Sequence, residues 1–206
     1  MPRSKTSKKW LKDHFDDVYV KKSKEEGYRS RASYKLLEIQ HKDRLFKSGM
    51  TVLDLGAAPG GWSQVAAELV GKRGRVLASD ILPMDSIANV DFVQGNFAER
   101  QVLDELLDRL RGARADLVIS DMAPNMSGIK DIDQPQVMYL AELALDMTKS
   151  VLKPGAYFLV KVFQGEGFEY FRQELRKNFD TVKTRKPKAS RPQSHEIYLL
   201  AGDYSG

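Results

Sequence analysis

An α/β fold, a mostly parallel seven-stranded sheet with helices on both faces and one terminal antiparallel strand, is predicted by three features of this 206-residue chain. Apolar strand-like runs alternate with helical stretches along most of its length, the pattern of a parallel sheet with crossover helices. The segment Val52-Leu53-Asp54-Leu55-Gly56-Ala57-Ala58-Pro59-Gly60-Gly61-Trp62 reads as a strand, a glycine-rich turn and a helix start. Two late apolar runs, 181–184 and 197–200, are joined by a basic loop without a helix and should therefore pair antiparallel.

Taken in order, residues 1–30 are polar and weakly patterned, a frayed extension with a short helix around 8–15. Ser30-Arg31-Ala32-Ser33 opens a helix through Leu36, Leu37, Ile39, Leu45 and Phe46, ending near Lys47-Ser48-Gly49, where glycine and a terminal lysine favour a stop. Further strands read at 50–55, 75–80, 90–94, 115–120 and 156–162, with helices near 61–70, 98–110, 134–152 and 166–177. The chain suits a basic extension over 1–30 followed by one domain over 31–206 with a sizeable core.

Composition removes several functions. No apolar run is long enough to span a bilayer, and Met1-Pro2-Arg3-Ser4-Lys5 lacks the apolar stretch of a secretory signal, so a cytoplasmic protein is expected. There is no cysteine, hence no disulfide, thiolate metal site or cysteine nucleophile. His14, His41 and His195 are scattered without metal-ligand spacing, and no metal is expected. The net charge of +5 is uneven: residues 1–35 hold eleven Lys/Arg against five Asp/Glu, and a second basic run covers 183–191. Two basic segments flanking a near-neutral domain suggest a polyanion, nucleic acid above all, although charge runs are usually solvated faces. Trp10, Phe15, Tyr19, Tyr28 and Tyr34 interleave the first segment and favour a docking surface over a simple tail.

The glycine turn identifies a ligand class. Its spacing is Gly56-x-x-x-Gly60-Gly61, not the G-x-G-x-x-G that presses on a dinucleotide pyrophosphate, which argues against an NAD-dependent oxidoreductase. Asp54 in the strand before the turn suits a ligand with a cationic end, and S-adenosylmethionine (SAM) carries both an ammonium and a sulfonium. Open α/β sheets bind ligands at the carboxyl ends of their strands. Asp80 ends the second strand and can accept both ribose hydroxyls; Asn96, in Gly95-Asn96-Phe97, can accept from an adenine amine or simply form a turn. Parallel strands followed by an antiparallel hairpin also fit the Rossmann-like fold of SAM-dependent methyltransferases.

Two residues violate their surroundings. Lys161 interrupts the apolar run Tyr157-Phe158-Leu159-Val160-Lys161-Val162-Phe163, where a lysine either snorkels to water or serves a pocket. Asp121 ends the fourth strand, beside the expected position of the cofactor's methyl, and the following Met122-Ala123-Pro124-Asn125 lacks the aromatic that amine methyltransferases tend to carry there, which argues for an oxygen acceptor. Glu196 opens the last strand; if that strand is antiparallel, Lys161, Asp121 and Glu196 converge on one rim. Spacing alone does not select Lys35, which can pair with Glu38 on the next helical turn.

These segments resemble the FtsJ/RrmJ family of ribosomal RNA 2′-O-methyltransferases. The matching stretches are 28–38 (YRSRASYKLLE), 52–64 (VLDLGAAPGGWSQ), 120–125 (SDMAPN), 159–165 (LVKVFQG) and 190–199 (SRPQSHEIYL), in order across nearly the whole chain. The resemblance implies a Lys-Asp-Lys-Glu catalytic set at Lys35, Asp121, Lys161 and Glu196, and SAM contacts at Gly60, Trp62, Asp80, Asn96 and Asp121, to which the residues themselves add Asp54 and Gly56. It further implies methylation of a uridine ribose in the A-loop of 23S rRNA, with the 50S subunit as partner; nothing in the sequence suggests an obligate dimer, and a monomer is expected. Related bacterial enzymes often carry aspartate where this chain has Asn96, a departure bearing on cofactor affinity. Other readings of the same residues are an enzyme acting on tRNA, a small-molecule or protein O-methyltransferase, and a ribosome-assembly factor that kept the pocket without catalysis.

Overall fold

The computed structural model describes residues 17–191 and 194–206; the helix expected around 8–15 lies outside them. In chain order the elements are α1 (Val18–Glu25), α2 (Ser33–Asp43), β1 (Thr51–Leu55), α3 (Gly61–Val70), β2 (Arg75–Asp80), β3 (Val90–Gln94) and α4 (Arg100–Leu110). They continue with β4 (Ala115–Ser120), α5 (Lys130–Val151), β5 (Leu152–Phe163), α6 (Phe168–Asn178), β6 (Phe179–Arg185) and β7 (Glu196–Tyr204). The strands form one sheet in the order β3-β2-β1-β4-β5-β7-β6. β1 to β5 pair in parallel, and β7 slots between β5 and β6, antiparallel to both. The strand order therefore reverses between β1 and β4, which opens a crevice at their carboxyl ends.

Alternate residues of the central strands feed two apolar layers. Leu53, Leu55, Val118, Phe158 and Val160 pack under α4, α5 and α6 through Leu106, Leu145 and Phe171. Val52, Leu117, Ile119, Leu159 and Tyr198 pack on the opposite face under α2 and α3 through Leu36, Trp62 and Val65. Because both faces are covered, these strands read as continuous apolar runs.

Several boundaries differ from the sequence reading. α2 stops at Asp43, because Arg44 takes a left-handed conformation and its amide closes on Gln40 O. Leu45 and Phe46 stay buried beyond the helix, and the Gln40 side chain accepts from Phe46 N at 2.9 Å. Ser33 does not cap α2; its hydroxyl donates instead to Gly61 O at 3.1 Å, tying α2 to the start of α3. α5 begins at Lys130, four residues before the expected start, with Asp131 and Asp133 in a first turn whose free amides favour acids. Pro135 sits in its second turn and only withholds one donor. β5 begins earlier than expected, with an irregularity between its pairings at Ala115 and Leu117.

Residues 17–30, read as part of a frayed extension, contain α1. Asp17 caps it by accepting from Tyr19 N at 2.9 Å, and Lys22 and Lys24 occupy its last turn. Only Val20 and Ser23 are buried in it, too thin a stripe to register as a periodic pattern. The aromatic residues join it to the domain. Tyr34 stacks near Tyr19 and Tyr28 at 5.4 and 5.7 Å between ring centres, and its hydroxyl donates to Glu26 at 2.8 Å.

Candidate active site

Two clefts of about 590 Å³ open at the carboxyl end of the sheet, and the loop after β4 forms a wall of both. The first lies over the switch point. Its walls include Gly56 and Ala58 after β1, Ser79, Asp80, Ile81 and Leu82 after β2, Gly95, Asn96 and Phe97 after β3, and Asp121 and Met122 after β4. Gly56 is in the left-handed region (φ 75°), and a Cβ there would collide with Met122 Cγ, so the turn and the β4 loop close on each other only because that side chain is absent. Asp80 is fixed by accepting from Ala58 N and Leu82 N, each at 2.9 Å, which leaves lone pairs on both oxygens. Asn96 uses its Oδ1 to accept from Ala98 N at 3.1 Å, the turn-forming role, while lying on the cleft wall. The lining suits a nucleoside carrying a cation: a ribose acceptor, an apolar slot beside Phe97, and the Asp121 carboxylate at the far end. The volume falls within the roughly 300–1,000 Å³ of small-molecule sites.

Asp54, Gly60 and Trp62 stand behind this wall. Asp54 is 1% exposed and accepts from Ser63 Oγ at 2.6 Å. Burial raises its pKa to about 7, assisted by the nearby Asp121 and Asp80 and opposed by the Ser63 hydrogen bond. Gly60 caps α3 in a left-handed conformation (φ 106°), and a Cβ there would press on Ile87 and Met84. Trp62 packs its ring 5.6 Å from that of Tyr198 and donates from Nε1 to Ala32 O at 2.9 Å. It buttresses the site.

The second cleft lies between α2, the ends of β5 and β7, and the first turn of α5. Arg31, Lys35, Gln134, Phe163, Arg191, His195 and Glu196 are among its lining residues. The β5–β7 register pairs Lys161 with Tyr198 and Phe163 with Glu196, which puts all four on the face covered by α2. There Lys35 Nζ sits 2.6 Å from Glu196 Oε1, and both side chains are nearly buried. Lys161 Nζ donates to the Asp121 carbonyl at 2.5 Å and lies 3.2 Å from its carboxylate. Tyr198 donates its hydroxyl to Asp121 Oδ1 at 2.6 Å, and Lys35 Nζ lies 5.7 Å from the Tyr198 ring centre. The structure thus gathers Lys35, Asp121, Lys161 and Glu196 around Tyr198. Burial pushes the Asp121 carboxyl up, but Lys161, Lys35 and the Tyr198 hydroxyl outweigh it and hold it below the ordinary carboxylate value. Burial, reinforced by Asp121 and Glu196, pushes the Tyr198 phenol well above its usual range, so it remains a donor.

Comparison with known proteins adds a lineage to this geometry. A model of the FtsJ-like methyltransferases matches residues 28–204. The chain belongs to the FtsJ-like methyltransferase family. It is 63% identical over 203 residues to a protein of Chromohalobacter salexigens named Ribosomal RNA large subunit methyltransferase E, covering 98% of this chain and 97% of that one. The protein of the same name from Pseudomonas aeruginosa is 60% identical over the whole of both chains. Among solved structures, a Plasmodium falciparum protein described as a ribosomal RNA methyltransferase superposes with a TM-score of 0.78 at 30% identity, covering 87% of this chain and all of that one.

Within this FtsJ-like enzyme, sequence reasoning passed over Tyr198, Asp133 and Gln134. Tyr198 had a signal: it lies two residues after Glu196 on a strand, hence on the same face. The basic segments also gain a finer reading. Arg29 donates to the carbonyls of Pro59, Asp85 and Ser86, and Arg31 to Ala189 O. Arg185 clasps Asp43 through Nε and Nη2 at 2.7 and 2.5 Å, and Lys186 holds the carbonyls of Ser194 and Glu196. Much of this positive charge fastens segments around the second cleft. Lys35 pairs with Glu196, not with Glu38; Glu38 accepts from the amides of Lys188 and Ala189. Among the described residues, no helix is long and apolar enough to cross a membrane, and no cluster of three or more His, Asp or Glu is placed to hold a metal.

Proposed function

We propose that this FtsJ-like enzyme transfers the methyl group of SAM to the ribose 2′-oxygen of a uridine in large-subunit (23S) rRNA, in the A-loop of the assembled or assembling 50S subunit in the cytoplasm. One observation carries the reading: Asp121 lines the first cleft while its carboxylate and carbonyl are held by Tyr198 and Lys161, next to the Lys35–Glu196 pair of the second. The relatives' shared name supports the choice of large-subunit rRNA.

When bound, SAM supplies a methyl group already activated on a sulfonium, so the protein has to align an oxygen with it and dispose of a proton. Asp80 would accept from the ribose hydroxyls, Phe97 would flank the adenine, and Asp121 would offer its carboxylate to the cationic end. On the other side, the 2′-hydroxyl proton passes to Nζ of Lys161 as the oxygen is methylated. The ammonium so formed finds Asp121 at the distances already present, so the site is preorganised for the charge that develops. Tyr198 keeps the Asp121 carboxylate in register for this, and Lys35 with Glu196 holds the ribose. Alignment can contribute about 7–11 kcal/mol, and the base a further factor of roughly 10²–10⁴.

The test is methyl transfer from labelled SAM to undermethylated large subunits, naked rRNA and tRNA, followed by nucleoside analysis. Label in 2′-O-methyluridine from large subunits is the expected result. Label confined to tRNA would move the substrate, and no label in any RNA with the donor bound would overturn the reading.

A further inference from the structure

Met126, Ile129 and Ile132 are 51%, 55% and 45% exposed, three apolar side chains within seven residues between β4 and the first turn of α5. Three large apolar side chains left exposed so close together in the chain are a candidate contact surface. The loop that carries them is braced. Asp133, only 4% exposed, accepts from Ser127 N at 2.7 Å, Ser127 Oγ at 2.8 Å and Gly128 N at 2.9 Å, and Ser127 Oγ accepts in turn from Ile129 N at 3.1 Å. The Ser127 amide above all holds the Asp133 carboxyl below its usual value, so the brace stays ionised at neutral pH. Met126 also lines the second cleft, whose other lining residues include Arg31, Lys35, Arg191 and His195. The braced segment thus sets Met126 in the wall of a cleft that also contains Arg31, Lys35 and Arg191, with Ile129 and Ile132 exposed on the same segment. A nucleotide in an unpaired strand presents the matching pair of surfaces, a base face and a phosphate.

We propose that the 126–132 segment, the end of the β4–α5 loop with the start of α5, is a docking platform for an unpaired nucleobase adjoining the reacting ribose. Met126 and Ile129 lie against the base, Ile132 extends the surface, and Arg191 takes a neighbouring phosphate. The proposal rests on the RNA reading above and narrows it: a base inside a duplex hides the face that the platform needs, so the enzyme selects a target whose flanking base is unstacked.

The experiment uses the full chain, with Met126→Ser, Ile129→Ser and the double variant, and two fluorescent oligomers of about ten nucleotides. One is oligouridylate; the other has the same backbone with abasic central positions. The double variant should bind oligouridylate roughly tenfold more weakly than wild type, since the apolar area that one base face covers on two aliphatic side chains is worth a factor of about that order. On the abasic oligomer it should equal wild type, and its salt dependence, Tm and SAM affinity should be unchanged because no phosphate contact or core group is altered. Met126→Phe should bind oligouridylate at least as tightly as wild type. Equal losses on both oligomers, or no loss on either, would overturn the platform. So would a raised KM on large subunits with normal oligouridylate binding, which would mark a protein contact. Wild-type transfer to large subunits, run alongside, separates the two ideas. If it occurs and the double variant matches its KM, the platform fails and the RNA reading stands; if wild type labels no RNA, that reading fails.

Discussion

The two clefts on either side of the β4 loop have the same volume and opposite electrostatics. The lining of the first contains two carboxylates, Asp80 and Asp121, and no lysine, arginine or histidine among its described residues. That of the second contains Arg31, Lys35 and Arg191 against Asp133 and Glu196. The means of holding charge differ as well. Asp80 is anchored by backbone amides, which the fold supplies once β2 ends and the glycine turn passes. Lys35 is anchored by another side chain on a strand distant in sequence. The first cleft is therefore a property of local strand–turn–helix geometry, whereas the second exists only when α2 and β7 have both docked. Asp121 links them: it lines the first cleft, while its carbonyl and carboxylate hold Lys161 and Tyr198 on the face covered by α2.

The largest effect expected from this contrast is catalytic. Lys161→Ala should lower kcat by roughly 10²–10⁴-fold, the range of a lost general base, with SAM affinity little changed because Lys161 is absent from the lining of the first cleft. Lys161→Arg should fail as badly, since arginine does not give up its proton. Single-turnover methyl transfer beside calorimetric SAM binding checks both, and turnover near wild type in either variant would return Lys161 to a packing role. The next effect is structural and confined to the second cleft. Glu196→Ala leaves the Lys35 ammonium nearly buried without its carboxylate, which should cost about 3–5 kcal/mol in urea unfolding. Adding Lys35→Met should recover much of that loss. A double variant as unstable as the single one would mean that the pair is held by its surroundings.

This difference also explains which parts of the enzyme were legible in the sequence. The first cleft depends on residues near in the chain, so Gly56, Asp80, Asn96 and Asp121 follow from strand ends and turn spacing, and the structure puts them on one wall. Asp54 is the exception within that group: its place at a strand end suggested ligand contact, yet its side chain points into the α3 junction and Ser63. The second cleft depends on which strand inserts beside β5. Glu196 was reachable through the antiparallel pairing, but Lys35 looked equally suited to Glu38, and only the docking of the 188–189 backbone onto Glu38 decides between them. Tyr198 was hidden for a different reason, since an aromatic residue in a strand ordinarily signals core packing, and here it does that and donates to Asp121 as well. The same ambiguity concealed α1, whose buried stripe of two residues is shorter than a helical period can reveal.

The smallest effect separates the clefts by pH, through Asp54 and Asp121. Asp121 has a folded pKa below its unfolded one, so the stability it contributes is present above the unfolded value near 4 and is lost as pH falls further. Asp54 behaves in the opposite sense. Its folded pKa, about 7, exceeds the unfolded value of 3.8, so between those limits the folded protein binds the extra proton. Stability should therefore fall as pH rises from about 4 to 7, by at most a few kcal/mol, since holding one extra proton changes stability by roughly 1.4 kcal/mol for each pH unit crossed. An asparagine at this position can still accept from Ser63 and carries no charge to bury. Asp54→Asn should match wild type near pH 4, lose less stability on the way to pH 7, and melt higher at pH 8. Parallel Tm–pH curves for the two proteins would mean that Asp54 is ionised where it sits, compensated by Ser63 and its surroundings. The acid behind the first cleft would then belong with Asp121 as a fixed charge facing the cofactor.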